Sequence, residues 1–371
     1  LRPRVLAKIS DNGAGNAYSI ASSKDCPELD LSSCKIPSAK MQRNSGGGDT
    51  FSWGITSWSQ LFMDRQLYVI DNLVKNVHDL QIKTDDQEYN IVIRTFLALW
   101  IDRVISYSSS FGRWIPQNEQ LTSLFGRQAI AMISDYPELN VFASSTSGAT
   151  NQLDWVLKYL DSESSCEFTT ALCHSSSGDK YQFEKKTIDC VVTDPPYYNA
   201  IAYADISDYF YIWLKNAIGD YYPINFATPQ TPKAEECTAL KHHHNNNEQE
   251  AKKFFENKLL QIFKAIEYQT KGVISIMFAH QSTEAWTTLC NSIIGASMNI
   301  TGSWAIDSER DTRMVANSGD ALTSSVTVAC RPVFKQETVS YKKVKKNIQA
   351  KVECEVKNLY ELGFRGADLL T

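Results

Sequence analysis

No CxxC pair occurs among the nine cysteines of this 371-residue chain, and their number is odd. Both facts argue against a paired-disulfide framework and against a zinc site of two-pair spacing, so we expect reduced thiols, no metal ligand set and a cytoplasmic protein. No apolar run approaches the roughly 18 residues that a membrane-spanning helix needs, and the opening LRPRVLAKIS lacks the basic-then-apolar pattern of an export signal. No membrane partner is expected. Strong basicity is missing as well: the formal charge is −5, so a nucleic-acid partner would have to be met by local patches. The clearest basic run, KKVKKNIQAK at 342–351, reads as a solvated helix face. Missing too is a glycine-rich turn between a buried strand and a helix. DNGAGNAYS and SGGGDTF carry glycines, but neither follows an apolar strand, and both read as polar turns.

What is present begins with turn-rich sequence over residues 1–50. From Trp58 the spacing becomes helical, with Leu61, Phe62, Leu67, Ile70, Leu73 and Val77 on one face. A second helix is expected over about 88–106 and a third over 120–134, stopped at Pro137. These predict a mainly helical accessory region at 1–145, and the Ser/Thr-rich ASSTSGATN at 143–151 reads as a linker.

Over 146–335 strands and helices alternate. A helix at 152–161 leads to a strand near 167–173 and then to the strand Ile188–Thr193. Helices follow around Ile206–Ile218 and 249–269, then the strand GVISIMFAH, the helix TEAWTTLCNSIIGAS, and two final strands joined by a loop without a helix. Alternation predicts a parallel sheet covered on both faces, and the missing last crossover predicts an antiparallel final strand. The fold class is therefore α/β, with the Rossmann-like sheet of S-adenosylmethionine-dependent methyltransferases in partial form, beside a largely helical N-terminal region. Residues 336–371 are expected to form a basic helical segment. The insertion at 219–250 is a candidate for target recognition, and its HHHNNN tract reads as a disordered loop, since adjacent histidines do not share one helical face.

The corner TDPPYY follows the strand Ile188–Thr193, and in open α/β sheets ligands bind at the carboxyl ends of strands. Two successive prolines hold Asp194 and Pro195 extended and remove two N–H donors, leaving carbonyls free to accept. An exocyclic amine such as adenine N6 has two N–H donors and a lone pair delocalised into its ring. The Asp194 carboxylate and the Pro195 carbonyl can accept one N–H each and localise that lone pair, while Tyr197 stacks on the base at about 1–3 kcal/mol. Because such a nitrogen is inaccessible in a duplex, the base would be flipped out or single-stranded.

Asp194-Pro195-Pro196-Tyr197 resembles the amino-methyltransferase motif. The longer string TDPPYYNAIAYADISDYFYIWL resembles the large prokaryotic adenine-specific DNA methylases whose longer members carry a zinc ribbon. GITSWSQLFMDRQLYVIDNL, LFGRQAIAMISDYPELNVF, FAHQSTEAWTTLCNSII and ALTSSVTVACRP match in order, so the resemblance spans roughly residues 50–335. It implies methyl transfer from S-adenosylmethionine to adenine N6 in DNA, in a phage-defence or restriction-modification setting, with Asp194, Pro195, Pro196 and Tyr197 catalytic. Tyr198, Asn199 and Tyr203 continue the string as candidate base or backbone contacts, or as core and helix-start residues. In the loop 307–320, Arg310 and Arg313 are candidates for DNA phosphates, beside Glu309.

The resemblance breaks at the cofactor. Such sheets hold the methionine end in a glycine-rich loop that this sequence lacks, and Asp179 is only a weak match for the acid that contacts the cofactor's adenine. The chain is expected to supply the last five strands, with an upstream segment or a partner chain supplying the first two and the glycine-rich loop. Two other readings stay open: methylation of cytosine N4 or of a protein glutamine, and a non-catalytic DNA-binding or scaffolding fragment.

Overall fold

The computed structural model describes residues 4–11, 13, 15–42, 50–126, 129–280, 282–307, 324–333 and 340–361. The chain divides into two compact units, one of residues 1–169 with 202–233 and the other of 170–201 with 234–371. That cut differs from the sequence boundary at 145/146, because each unit is built from two separate stretches of chain.

Among its described residues the first unit holds four α-helices: α1 (Asp64–His78), α2 (Gln87–Tyr107), α3 (Ala149–Ser164) and α4 (Tyr203–Ile218). It also holds two hairpins, β1 (Ala7–Asp11) with β2 (Asn16–Ile20), and β3 (Arg113–Ile115) with β4 (Gln120–Thr122). Leu67, Ile70 and Val77 of the expected face are buried on α1, together with Val74, while Leu73 is half-buried. They meet Ala98, Ile101 and Ile105 of α2 and Tyr209, Ile212 and Trp213 of α4 in one core. Asp86 caps α2 by accepting from the Tyr89 backbone N–H at 3.0 Å.

Two expectations fail in this unit. The described residues of 120–134 form no helix: Gln120–Thr122 pairs with Arg113–Ile115, and 123–126 and 129–134 lie outside any helix or strand. Leu121, Leu124 and Ile130 still reach the interior, so tertiary burial satisfied the apolar spacing without helical backbone. Nor is 143–151 a free linker, since Ser147 is buried and its hydroxyl donates to the Leu121 carbonyl at 3.2 Å.

The second unit carries a mixed four-stranded sheet in the order β5-β6-β8-β7. Its strands are β5 (Ile188–Thr193), β6 (Thr270–Phe278), β7 (Met298–Asp307) and β8 (Ser324–Pro332). β5 and β6 run parallel, and β8 lies between β6 and β7, antiparallel to both. Helices α5 (Glu248–Gln269), α6 (Thr283–Gly295) and α7 (Tyr341–Glu361) complete it. Phe255, Leu259 and Phe263 of α5 pack with Ile274, Ile276 and Phe278 of β6 and with Leu289 and Ile293 of α6. The basic stretch within α7 is exposed throughout, as a solvated face should be.

Three corrections belong here. No strand forms at 167–173, where Phe168 and Leu172 stay exposed, so the sheet has four described strands and not five. A strand needs a neighbour for its backbone groups, and apolar letters alone do not provide one. The sheet is not covered on both faces, since Val192 on β5 is 78% exposed. HHHNNN is not a disordered loop: Lys241–His243 form a tight helical turn, and Asn247 caps α5 by accepting from the backbone N–H groups of Gln249 and Glu250.

Gly272 has one role in this sheet. Ile188 pairs with Thr270 but Cys190 pairs with Val273, so β6 bulges by one residue against β5. A Cβ at Gly272 would sit 2.0 Å from the Asp189 carbonyl oxygen, backbone against backbone, with no side chain able to move away. Gly272→Ala is expected to lower stability by about 1–3 kcal/mol, the usual cost of overpacking, read as a lower urea midpoint.

Candidate active-site corner

Asp194 leaves the carboxyl end of β5 with its side chain exposed, while Pro195 is buried and Pro196 and Tyr197 are half-buried. The next residue, Tyr198, is buried with a φ of 53°, a left-handed conformation that costs an aromatic residue on the order of 1 kcal/mol. Three contacts hold it there. Its N–H donates to the Pro196 carbonyl at 3.0 Å, its carbonyl accepts from the Ala239 N–H at 2.9 Å, and its ring meets Phe255 edge-on at 5.1 Å. The Pro196 carbonyl is therefore occupied. Among the described residues, no hydrogen bond outside the sheet ladder reaches the Pro195 carbonyl.

The Tyr197 ring stands edge-on to Phe278 at 5.7 Å, and Phe278 stands edge-on to Trp286 of α6 at 5.1 Å. Parallel pairing of Thr193 with Ile276 brings the carboxyl ends of β5 and β6 to the same edge of the sheet. His280 follows β6 at that edge, with its ring 5.6 Å from that of Tyr198. Its Nδ1 accepts from the Ser282 N–H at 3.0 Å, which places the ring proton on Nε2. Burial lowers its pKa. His280, within FAHQSTEAW, is not among the residues that the sequence pointed to. The available signal was its position just beyond a second apolar strand.

The pKa of His280 fixes a sign for the response to pH. Because the folded state holds the imidazole below its ordinary value of about 6.5, the unfolded chain takes up the proton first. The contribution from this residue is fully present above pH ~6.5 and is lost as pH falls towards the folded pKa. Denaturation of the wild type should therefore lose stability between pH 7 and 5 by more than His280→Gln does. An equal slope in the two proteins would show that His280 is not the group responsible.

The other candidates are scattered. Tyr198 belongs to the core, so it is not a free stacking surface. Asn199 is exposed beside the corner, and Tyr203 is the first residue of α4. Asp179 lies upstream of β5, where its carboxylate meets the Lys258 ammonium at 2.9 Å. Lys258 also pairs with Glu235 at 2.6 Å. Hydrogen bonds from Ser177 and Lys258 lower the Asp179 pKa, so this acid is already committed to an ion pair. Glu309, Arg310 and Arg313 lie outside the described residues.

Among the described residues, no glycine-rich turn joins a buried strand to a helix as a cradle for S-adenosylmethionine would. The glycines of DNGAGNAYS, Gly13 at φ 81° and Gly15 at φ 143°, turn the β1–β2 hairpin, so a second strand follows and no helix N-terminus is offered to a ligand. A cavity of about 520 Å³ lies in the first unit, lined by α2, α4 and the segment after α4, and does not include the corner. What the corner offers is an exposed carboxylate, an accepting carbonyl and an aromatic ring on consecutive residues of rigid backbone. No family model matches this chain, and no curated protein matches it.

Proposed function

We propose that this chain carries the amine-accepting part of a methyltransferase, and that its substrate is the N6 amine of adenine in DNA. The observation that carries this reading is the exposed Asp194 carboxylate at the end of a parallel strand, followed by the Pro195 carbonyl and the Tyr197 ring. One carboxylate oxygen and one carbonyl oxygen are the two acceptors that an exocyclic –NH₂ needs. Accepting both N–H groups draws the nitrogen towards tetrahedral geometry and makes its lone pair nucleophilic. The antiparallel β8 between β6 and β7 is the arrangement expected of the methyltransferase version of the Rossmann-like sheet, and it supports the same reading. S-adenosylmethionine is the methyl donor this chemistry calls for. Its cradle belongs, in this reading, to a segment encoded upstream or to a partner chain.

The test is transfer of a labelled methyl group from S-adenosylmethionine to DNA, followed by digestion to nucleosides. It is run with the chain alone and with the chain extended by whatever residues its gene encodes before it. Label in N6-methyladenine is the expected result, strongest in the extended protein. Label in N4-methylcytosine or in protein would move the target to another planar amine. No label in either preparation would leave a DNA-binding or scaffolding role.

A further inference from the structure

Helix α7 (Tyr341–Glu361) buries none of its residues. At about 3.6 residues per turn, Tyr341, Val344, Ile348, Val352, Val356 and Leu359 fall within roughly 120° of its circumference. The first five are 37–76% exposed, and Leu359 is half-buried. Most helical stability in water comes from packing such a stripe against something, and among the described residues nothing covers this one. Two charged residues fall in the same arc, Lys345 near its start and Glu355 near its end. They stand five residues to either side of Ala350. The apolar positions share that centre: Ile348 and Val352 lie two residues away, Val344 and Val356 six, Tyr341 and Leu359 nine. Charge is polarised about it as well, since residues 341–351 hold five lysines and no acid, and 352–361 hold three glutamates and one lysine.

We propose that α7 is a self-association surface, and that its stripe packs antiparallel on α7 of a second copy of this chain in a register centred on Ala350. In that register Val344 meets Val356 of the second copy, Ile348 meets Val352 and Tyr341 meets Leu359. Lys345 meets Glu355, and the two-fold axis repeats every contact. The basic half of each helix then lies along the acidic half of the other. A parallel pair would set Lys345 against Lys345 and basic half against basic half, which like-charge repulsion disfavours. A polyanion suits the stripe less well, because Glu355 would face it. The apolar positions also hold no Trp or Phe of the kind that anchors basic helices in lipid. This inference rests on α7 alone and is independent of the methyl-transfer reading.

Sedimentation equilibrium of the whole chain tests it. A dimer with a dissociation constant on the order of 10–100 µM is expected, because one helix stripe is a small interface. Lys345→Glu and Glu355→Lys each put like charges at both seam contacts, and each should weaken the dimer about 10-fold or more. Mixing these two variants puts opposite charges back at both contacts, so the mixture should dimerise about as well as the wild type. The double variant K345E/E355K should do so by itself. Both positions are exposed, so the fold should survive, which thermal melts of the same preparations check. A wild type that stays monomeric at about ten times the expected dissociation constant would overturn the proposal. So would single variants that associate like the wild type, or a mixture no better than its components. A monomer that binds duplex DNA or anionic vesicles through α7 would overturn it too, and would give the stripe to a polyanion.

Discussion

Asp194→Ala is expected to reduce methyl transfer to adenine by about 100-fold or more, with the melting temperature almost unchanged. The two halves of that expectation have separate reasons. The side chain is exposed beyond the end of β5 and packs against nothing in the core, so its loss removes little from folding. It is also the one charged acceptor in the corner among the described residues, and in the proposed reaction charge develops on the amine. Asp194→Asn is the sharper version. It keeps the shape but sets an –NH₂ donor, or at best a neutral carbonyl, where the substrate's own N–H must be accepted, so its activity should fall nearly as far. Initial rates of label incorporation, measured beside thermal melts of the same preparations, check both halves. An active Asp194→Asn would remove the corner from the chemistry.

Phe255→Ala should be the most damaging single truncation in the second unit, lowering stability by about 3–5 kcal/mol. Phe255 is fully buried on α5, within the cluster that includes Ile274 and Ile276 of β6 and Leu289 of α6. Domains of this kind have only about 5–15 kcal/mol in total, so the loss is a large fraction of the whole. The effect should also reach the corner, because the Phe255 ring is one of the three contacts holding Tyr198 in its left-handed conformation. Phe255→Leu, which fills much of the space, should cost far less. Urea denaturation followed by tryptophan fluorescence measures both variants. A Phe255→Ala loss below 1 kcal/mol would mean that this core is not packed as described.

Particular residues show what could be read in advance. Leu67, Ile70 and Val77 were read as one face of a helix and are buried on α1, whereas Leu73 of the same expected face is half-buried and Val74, not among the residues read, is buried beside them. The final hairpin was legible from the missing crossover helix alone, since two adjacent strands without a crossover must run antiparallel. Residues 120–134 misled because Leu121, Leu124 and Ile130 are apolar and buried without lying in a helix: Leu121 is on a short strand, and Leu124 and Ile130 lie outside any helix or strand. Phe168 and Leu172 misled in the other direction, having strand composition with no strand to pair with. In the corner, the Asp194 to Tyr197 motif stands in four consecutive letters, whereas His280 had only its position just beyond an apolar strand to mark it. Nothing local to FAHQS says that its ring meets Tyr198 across the end of the sheet.

The amino-acid order alone determined the features that depend on neighbours in the chain: the amphipathic stripes of α1, α4 and α5, the caps, and the rigid Asp-Pro-Pro-Tyr backbone. Periodicity and the fixed φ of proline act within a few residues and need no distant partner. Tertiary structure alone decided which strands exist, the bulge that makes Gly272 necessary, the two-piece composition of each unit and the strained φ of Tyr198. Each of these depends on hydrogen-bond partners or burial supplied from far along the chain, and such pairings are fixed only when the whole core closes.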